Sequence, residues 1–429
     1  MDYGHCIRVF GRTLVTGAFI VTATMASAGD EQRSEIPHTG FENGRFWVTS
    51  RYRYEHVNQE FFADPARAST WRVRPGIESG MFYGFRVGVE GDFIAEVGAD
   101  DFNNTVNGKT QFPVVVDVES AELNRAYLES HHIPGVVLTG GRYKADLDNW
   151  RFIGSVVWRQ NDQTFDGGNV QVTAIPGVDI YYGYVANVNR IFSDDGPDGF
   201  PNDGNITSNV HIVNVKGELP GSIGSLTGYT YLLDLDDVDA LSSASYGGFL
   251  QGKQKIFDGL TFNYRVEYAR QTDYADQPLD YEADYWHVQP GLSLYGFTAT
   301  LGYEKLGSDN GVAAFQTPLA TGHKFNGFAD VFLATPAFGL QDYYVDLTYK
   351  LKNASGSLDF LNGLLIKAQY HKFESDFGDI DYGEEFDLYV KQPIKGVKGL
   401  FLDLKYANYW ADQFATDREK IIFGVGYNY

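Results

Sequence analysis

Of 429 residues only Cys6 carries a thiol. A disulfide framework, a cysteine-held metal and a cysteine nucleophile are therefore excluded for the rest of the chain. Methionine is scarce, at 3 residues. No later apolar run approaches the roughly 18 to 20 residues that a spanning helix requires. That excludes helical spans and leaves strands, whose alternation dilutes their hydropathy. Positive charge is short as well: Lys+Arg 34 against Asp+Glu 56 gives a net charge of -22, which argues against nucleic acid as a partner. Catalytic patterns are missing. His56, His131, His132, His211, His287, His323 and His371 are scattered, and none stands in an H-E-x-x-H or G-x-S-x-G setting. The reading is a protein that is not an enzyme and has no catalytic residues, no cofactor and no metal site.

What is present begins with an export signal. Arg8 and Arg12 precede an apolar stretch at 14–23, and Ala26, Ser27 and Ala28 give a small-residue cleavage pattern. Residues 1–28 are expected to be a cleaved signal peptide that removes Cys6, too early in the chain for a lipid-attachment cysteine. An N-terminal membrane anchor is the alternative, disfavoured by the short apolar run. Residues 29–43 read as a short periplasmic lead-in and 44–429 as one β-barrel domain. The composition, with 29 Tyr, 31 Phe and 48 Gly, fits sheets with aromatic girdles better than helical cores.

From Gly44 onward, segments of about ten residues alternate, the length of a tilted membrane strand. Leu260, Phe262, Tyr264, Val266 and Tyr268 alternate with Thr261, Asn263, Arg265 and Glu267. Tyr343, Val345 and Leu347 alternate with Tyr344, Asp346 and Thr348. Ile421, Phe423, Val425, Tyr427 and Tyr429 share one face of the last segment, an ending typical of outer-membrane barrels. A soluble sandwich would bury the apolar face, whereas a barrel turns it to lipid and lines its lumen with the polar one. Alternation alone does not choose. The export signal, the missing cysteines and the terminal aromatic together favour the barrel.

Strands are expected at 45–57, 69–79, 84–97, 117–131, 135–145, 168–175, 178–191, 208–219, 225–236, 242–255, 259–274, 281–294, 296–306, 341–352, 362–374, 383–393, 399–410 and 419–429. These make an all-β, antiparallel transmembrane barrel of eighteen strands, with sixteen as the fallback. Segment 325–334 would break the even count and is placed inside a long outer loop. Short periplasmic turns (80–84, 132–135, 176–177, 256–259, 294–296) alternate with long extracellular loops (58–69, 98–116, 146–167, 192–207, 307–340).

The arginines gather early. Arg51, Arg53, Arg72, Arg74 and Arg86 fall on the polar faces of the first strands, and Arg125 and Arg142 follow. Neighbouring strands would set them as a positive wall of the lumen, where guanidinium groups bind carboxylate or phosphate bidentately. The alternative is a structural ladder with Glu78, Glu90, Asp92 and Glu122, and both readings can hold in one pore. Arg151 and Arg159 lie in a long loop whose Trp150, Phe152, Trp158 and Phe165 would bury well only by folding inward, so this loop is the expected constriction. The alternative there is aromatic anchoring at the membrane interface. The acidic runs, Asp194, Asp195, Asp198 and Asp203, then Asp234, Asp236, Asp237 and Asp239, then 374–387, fall at expected outer loops. They lack the regular spacing and terminal Glu of a calcium loop and read as solvated surface, with divalent-ion bridging to lipopolysaccharide still open.

One stretch is distinctive. Gly141-Arg142, 147–149 (Leu-Asp-Asn), 151–154 (Arg-Phe-Ile-Gly), 158–160 (Trp-Arg-Gln) and 163–166 (Gln-Thr-Phe-Asp) succeed one another. With 121–128, 327–333, 370–373 and 382–385, this pattern resembles the alginate-export outer-membrane porin family over most of the chain. The resemblance implies an eighteen-stranded barrel whose basic lumen passes a polyuronate outward, partly occluded by loops. Here the second half departs from that pattern: its scattered lysines are interleaved with Glu267, Asp346 and Asp387.

The expected function is a passive outer-membrane channel for an anionic solute, alginate or a related anionic saccharide among the candidates. The alternatives are a general diffusion porin, a plugged structural or adhesive barrel, and a soluble exported sugar-binding β protein. The expected partners are outer-membrane lipid and lipopolysaccharide, an anionic small-molecule or saccharide substrate, and the barrel-assembly machinery acting on the C-terminal strand.

Overall fold

The computed structural model describes residues 43–194 and 203–429. The signal assigned to 1–28, the lead-in up to residue 42, and Asp195 and Asp198 lie outside the described residues. Counting barrel strands alone, the elements are β1 (Arg45–Gln59), β2 (Ala66–Glu78), β3 (Phe85–Asp101), β4 (Ser120–Ile133), β5 (Val136–Tyr143), β6 (Thr164–Ile175), β7 (Val178–Asn189), β8 (Asn205–Glu218) and β9 (Ser225–Leu233). They continue with β10 (Ser243–Phe257), β11 (Leu260–Thr272), β12 (Glu282–Leu294), β13 (Phe297–Leu306), β14 (Leu340–Lys350), β15 (Leu365–Glu374), β16 (Asp381–Pro393), β17 (Leu400–Ala411) and β18 (Arg418–Asn428). Each pairs antiparallel with the next. β1 also pairs with β18, from Thr49 opposite Asn428 to Gln59 opposite Arg418, so the sheet closes and leaves no edge.

Alternation decides which side of this wall each residue meets. Val266 and Tyr268 are 44% and 38% exposed on the outside, while Arg265 and Glu267 between them are buried on the inside. Ile77, Val89, Leu128, Val345, Leu347 and Phe423 extend the same apolar outer surface around the wall. Aromatics gather at the rim of the short turns: Phe82, Tyr83, Tyr295 and Phe297 are all more than half exposed. An apolar band ending in aromatics is what a bilayer requires of a barrel's outer face. Among the described residues no helix is long and apolar enough to cross a membrane.

All eighteen expected strands are present, and segment 325–334 lies in the loop between β13 and β14. Strand ends shift by up to four residues, as at β6, which begins at Thr164 rather than 168, and two connections change most in character. The β1–β2 connection shrinks from the expected 58–69 to 60–65, because Val57, Ala66 and Ala68 stay in the ladder and bury against Phe102 and Val115. The β14–β15 connection, on the rim of the short turns, runs from 351 to 364 and contains a short 3-10 helix, Gly356–Leu361. A barrel of this size leaves room for an aqueous channel unless something fills it. Here two loops do.

Candidate functional site

The loop between β5 and β6, residues 144–163, leaves the wall and crosses the lumen. Its apolar side chains drive this: Phe152 is 8% exposed and packs on Tyr229, Tyr231, Tyr285 and Phe315, with ring centroids 5.1 to 5.8 Å apart. In water those rings would forfeit a large hydrophobic gain. At its far reach Arg151 donates to Glu304 on β13 at 2.8 Å and to Asn326 at 2.9 Å. Arg159 returns to β1, 3.1 Å from Glu55. The loop that carries Trp150, Phe152 and Trp158 is thus a strap pinned to both sides of the barrel.

The arginines of β1 and β2 do the pinning. Arg53 donates to the carbonyl of Trp158 at 2.7 Å, and Arg51 to those of Val157 and Arg159 and to the Gln160 side chain. Arg72 donates to the Gln160 carbonyl at 3.2 Å. Arg74 is held by Asp92 on β3 and Asp162 on the strap, each at 2.5 Å. Lys144 also grips Asp162. Burial works to raise the Asp162 carboxyl, but Arg74, Lys144 and Arg72 overcome it and hold the group below its ordinary range. The remaining arginines of the expected wall sit in carboxylate ladders, Arg86 with Glu78 and Glu129 and Arg125 with Glu90 at 2.7 Å.

Arg142 departs from the expected lumen position. Cross-strand partners share a face, and the row Ile77, Val89, Ala126, Arg142, Asp166 begins with side chains 47% and 43% exposed on the outside. Arg142 stands on that outer face, bidentate on Asp166 at 2.7 and 2.9 Å. Its neighbour Tyr143 takes the inward place, buried with Phe165, and parity sends Arg142 the other way.

A second loop, 307–339, also folds in, which sequence reasoning placed only as an outer loop. The signal available was its run Phe328, Ala329, Val331, Phe332 and Leu333, too apolar for solvent. The backbone N–H groups of Phe328 and Ala329 donate to Asp387 and Glu385 on β16 at 3.0 and 2.7 Å. Only a glycine fits at 327, where φ is +87° and a Cβ would strike the Glu385 carboxylate. Asp330 accepts from Lys420 of β18 at 2.6 Å and from His323 at 2.7 Å. The two loops are stitched together: Gly154 N donates to Leu319 O, Thr321 N to Trp150 O, and the Trp158 and His323 rings stack at 3.4 Å.

His323 is the hinge of this contact. Its Nδ1 faces Asp330 and its Nε2 lies 2.6 Å from Lys405 Nζ. An ammonium only donates, so the ring must be neutral, with its hydrogen on Nδ1. Burial pushes its pKa down to about 3. Burial would raise Asp330, but His323, Lys420 and Arg159 hold that carboxyl well below its usual range. Burial and neighbouring Lys367 and Arg265 push the Lys324 ammonium down to about 8. Among the described residues no group of His, Cys, Asp and Glu side chains is placed to hold a metal ion.

Neither a known family profile nor any curated protein matches the chain. Solved structures do. OpdK of Pseudomonas aeruginosa, solved with vanillate, superposes with a TM-score of 0.69 at 14% identity, covering 91% of this chain and 100% of that one. OccAB2 of Acinetobacter baumannii gives 0.69 at 16%, covering 91% and 99%. OccK3 of Pseudomonas aeruginosa gives 0.67 at 13%, covering 91% and 96%. Likeness at such identities speaks for the shape of the wall, which agrees with the closed register and the apolar outer band: the chain is an eighteen-stranded outer-membrane β-barrel.

Proposed function

We propose that this barrel is a passive channel for anionic solutes, narrowed by the two inward loops. The observation that carries the reading is a set of lumen cations that pair with no carboxylate among the described residues: Arg51, Arg72, Lys324, Lys391 and Lys405. Neutral groups hold them instead, namely strap carbonyls for Arg51 and Arg72, the His323 ring for Lys405 and the Phe401 face for Lys391 at 3.9 Å. Cations solvated by dipoles keep their field, and a narrow lumen with low-dielectric walls concentrates it. Of the arginines expected to meet the solute, Arg51 and Arg72 fit this field role, while Arg53, Arg74, Arg86 and Arg125 hold carboxylates.

The structure of OpdK with vanillate supports a small organic anion as the solute for a barrel of this shape. A polyuronate such as alginate is a second reading, favoured because the stretch resembling the alginate-export family, 141–168, includes the strap itself. Reversal potentials in a salt gradient across a planar bilayer test the common claim, with anion preference expected. A cation preference would defeat it, and no conductance at all would favour a plugged structural barrel. Current block by aromatic carboxylates but not by oligouronates would select the small-anion reading; the reverse would select the polyuronate.

A further inference from the structure

A recess of about 270 Å³ opens beneath the two loops against one side of the lumen. Strands β12 to β15 form its wall, Asn149 of the strap and Lys324, Phe325 and Asn326 of the second loop its roof. The Tyr344 ring of β14 lies over Gly302 of β13, where any side chain would collide with it. The charges in it are largely spent on one another: Lys367 on Asp346 at 2.9 Å, His371 on Asp342 at 2.9 Å, and Glu304 on Arg151. Apart from Lys324, whose ammonium donates to the Asn149 carbonyl at 2.9 Å, such a site has little left with which to attract a strong anion.

Two amides remain unspent. Gln289 on β12 and Gln369 on β15 line the recess and make no hydrogen bond to any described residue. Gln369 is only 7% exposed, yet neither of its polar atoms is sealed from the cavity. An amide that reaches the cavity without a protein partner is free to hydrogen-bond what enters there. Each amide offers an acceptor and two donors, which matches a hydroxyl that both donates and accepts. Phe325 and Tyr344 add ring surface for the C–H faces of a ligand.

We infer that this recess binds one neutral sugar ring, with Gln289 and Gln369 hydrogen-bonding its hydroxyls. Binding there requires no ion flow, so it stands whether or not the anion reading does. The test is titration calorimetry of the refolded barrel in detergent with glucose, galactose and mannose as probes. At least one should bind saturably, and Gln289→Ala with Gln369→Ala should weaken it roughly tenfold, as two lost neutral hydrogen bonds would. A heat-modifiable gel shift checks that the double variant still forms a barrel. Gln369→Met, which keeps the volume, should weaken binding in the same direction. Absence of saturable binding by all three sugars, or unchanged affinity in the variants, overturns the inference. Binding of glucuronate alone also overturns it and assigns the recess to anions.

Discussion

An arginine that holds a backbone carbonyl and one that holds a buried carboxylate look alike in a sequence but respond differently to loss. Arg74 is the second kind, with Asp92 and Asp162 both fully buried against it. Arg74→Ala strands buried Asp92 on the wall and leaves Asp162 on the strap with Lys144 alone, and such a break costs about 3–5 kcal/mol. The expected outcome is a lower urea midpoint for the gel-shift transition of the refolded protein, while Arg86→Ala, at a more exposed pair, should change it little. Equal midpoints for the two variants would refute this placement of Arg74. At this scale the sequence showed which residues were charged, not which carboxylate each would meet. Arg53 has Glu55 two residues away, but Asp117 and the carbonyl of Trp158 come from other segments.

At the scale of elements, the strands were legible because one polar and one apolar face repeat with period two. Loop destinations were only half legible. The strap's aromatics announced burial, whereas the second loop offered a short apolar run and one glycine, Gly327, whose need for positive φ is invisible without its partner Glu385. Neutral His323, packed between Trp158 and Phe328, makes the junction of the two loops sensitive to acid. Its pKa is lowered in the docked state, so docking is unaffected above the ordinary histidine value of about 6.5 and weakens as pH falls toward 3. Asp330 acts in the same direction at lower pH, since its carboxyl is held ionised by the groups around it. Lys405, Lys420, Arg159 and Arg53 also face the cluster, and Glu55 sits behind it. Proteolysis within 307–339 should therefore quicken between about pH 7.5 and about pH 5, and His323→Gln should flatten that dependence. A pH-independent cleavage rate in the native protein would contradict the docked geometry.

For the whole molecule, a net charge of -22 gave no hint of lumen cations that pair with no carboxylate, because exposed loops carry much of the acid, as at Asp236, Asp237 and Asp239. Lys324 is one of those cations, its ammonium pushed down to about 8 mainly by burial. Anion preference should then fall as pH rises through about 8, and Lys324→Gln should remove that step from the reversal potential. The central structural feature is the strap held across the lumen by β1 and β2. The most direct test is the unit conductance of Arg72→Ala with Arg74→Ala in a planar bilayer, against the native barrel. If these arginines pin the strap, its release widens the lumen and the unit conductance rises. An unchanged or smaller conductance would contradict the account and make the same arginines part of the open path itself.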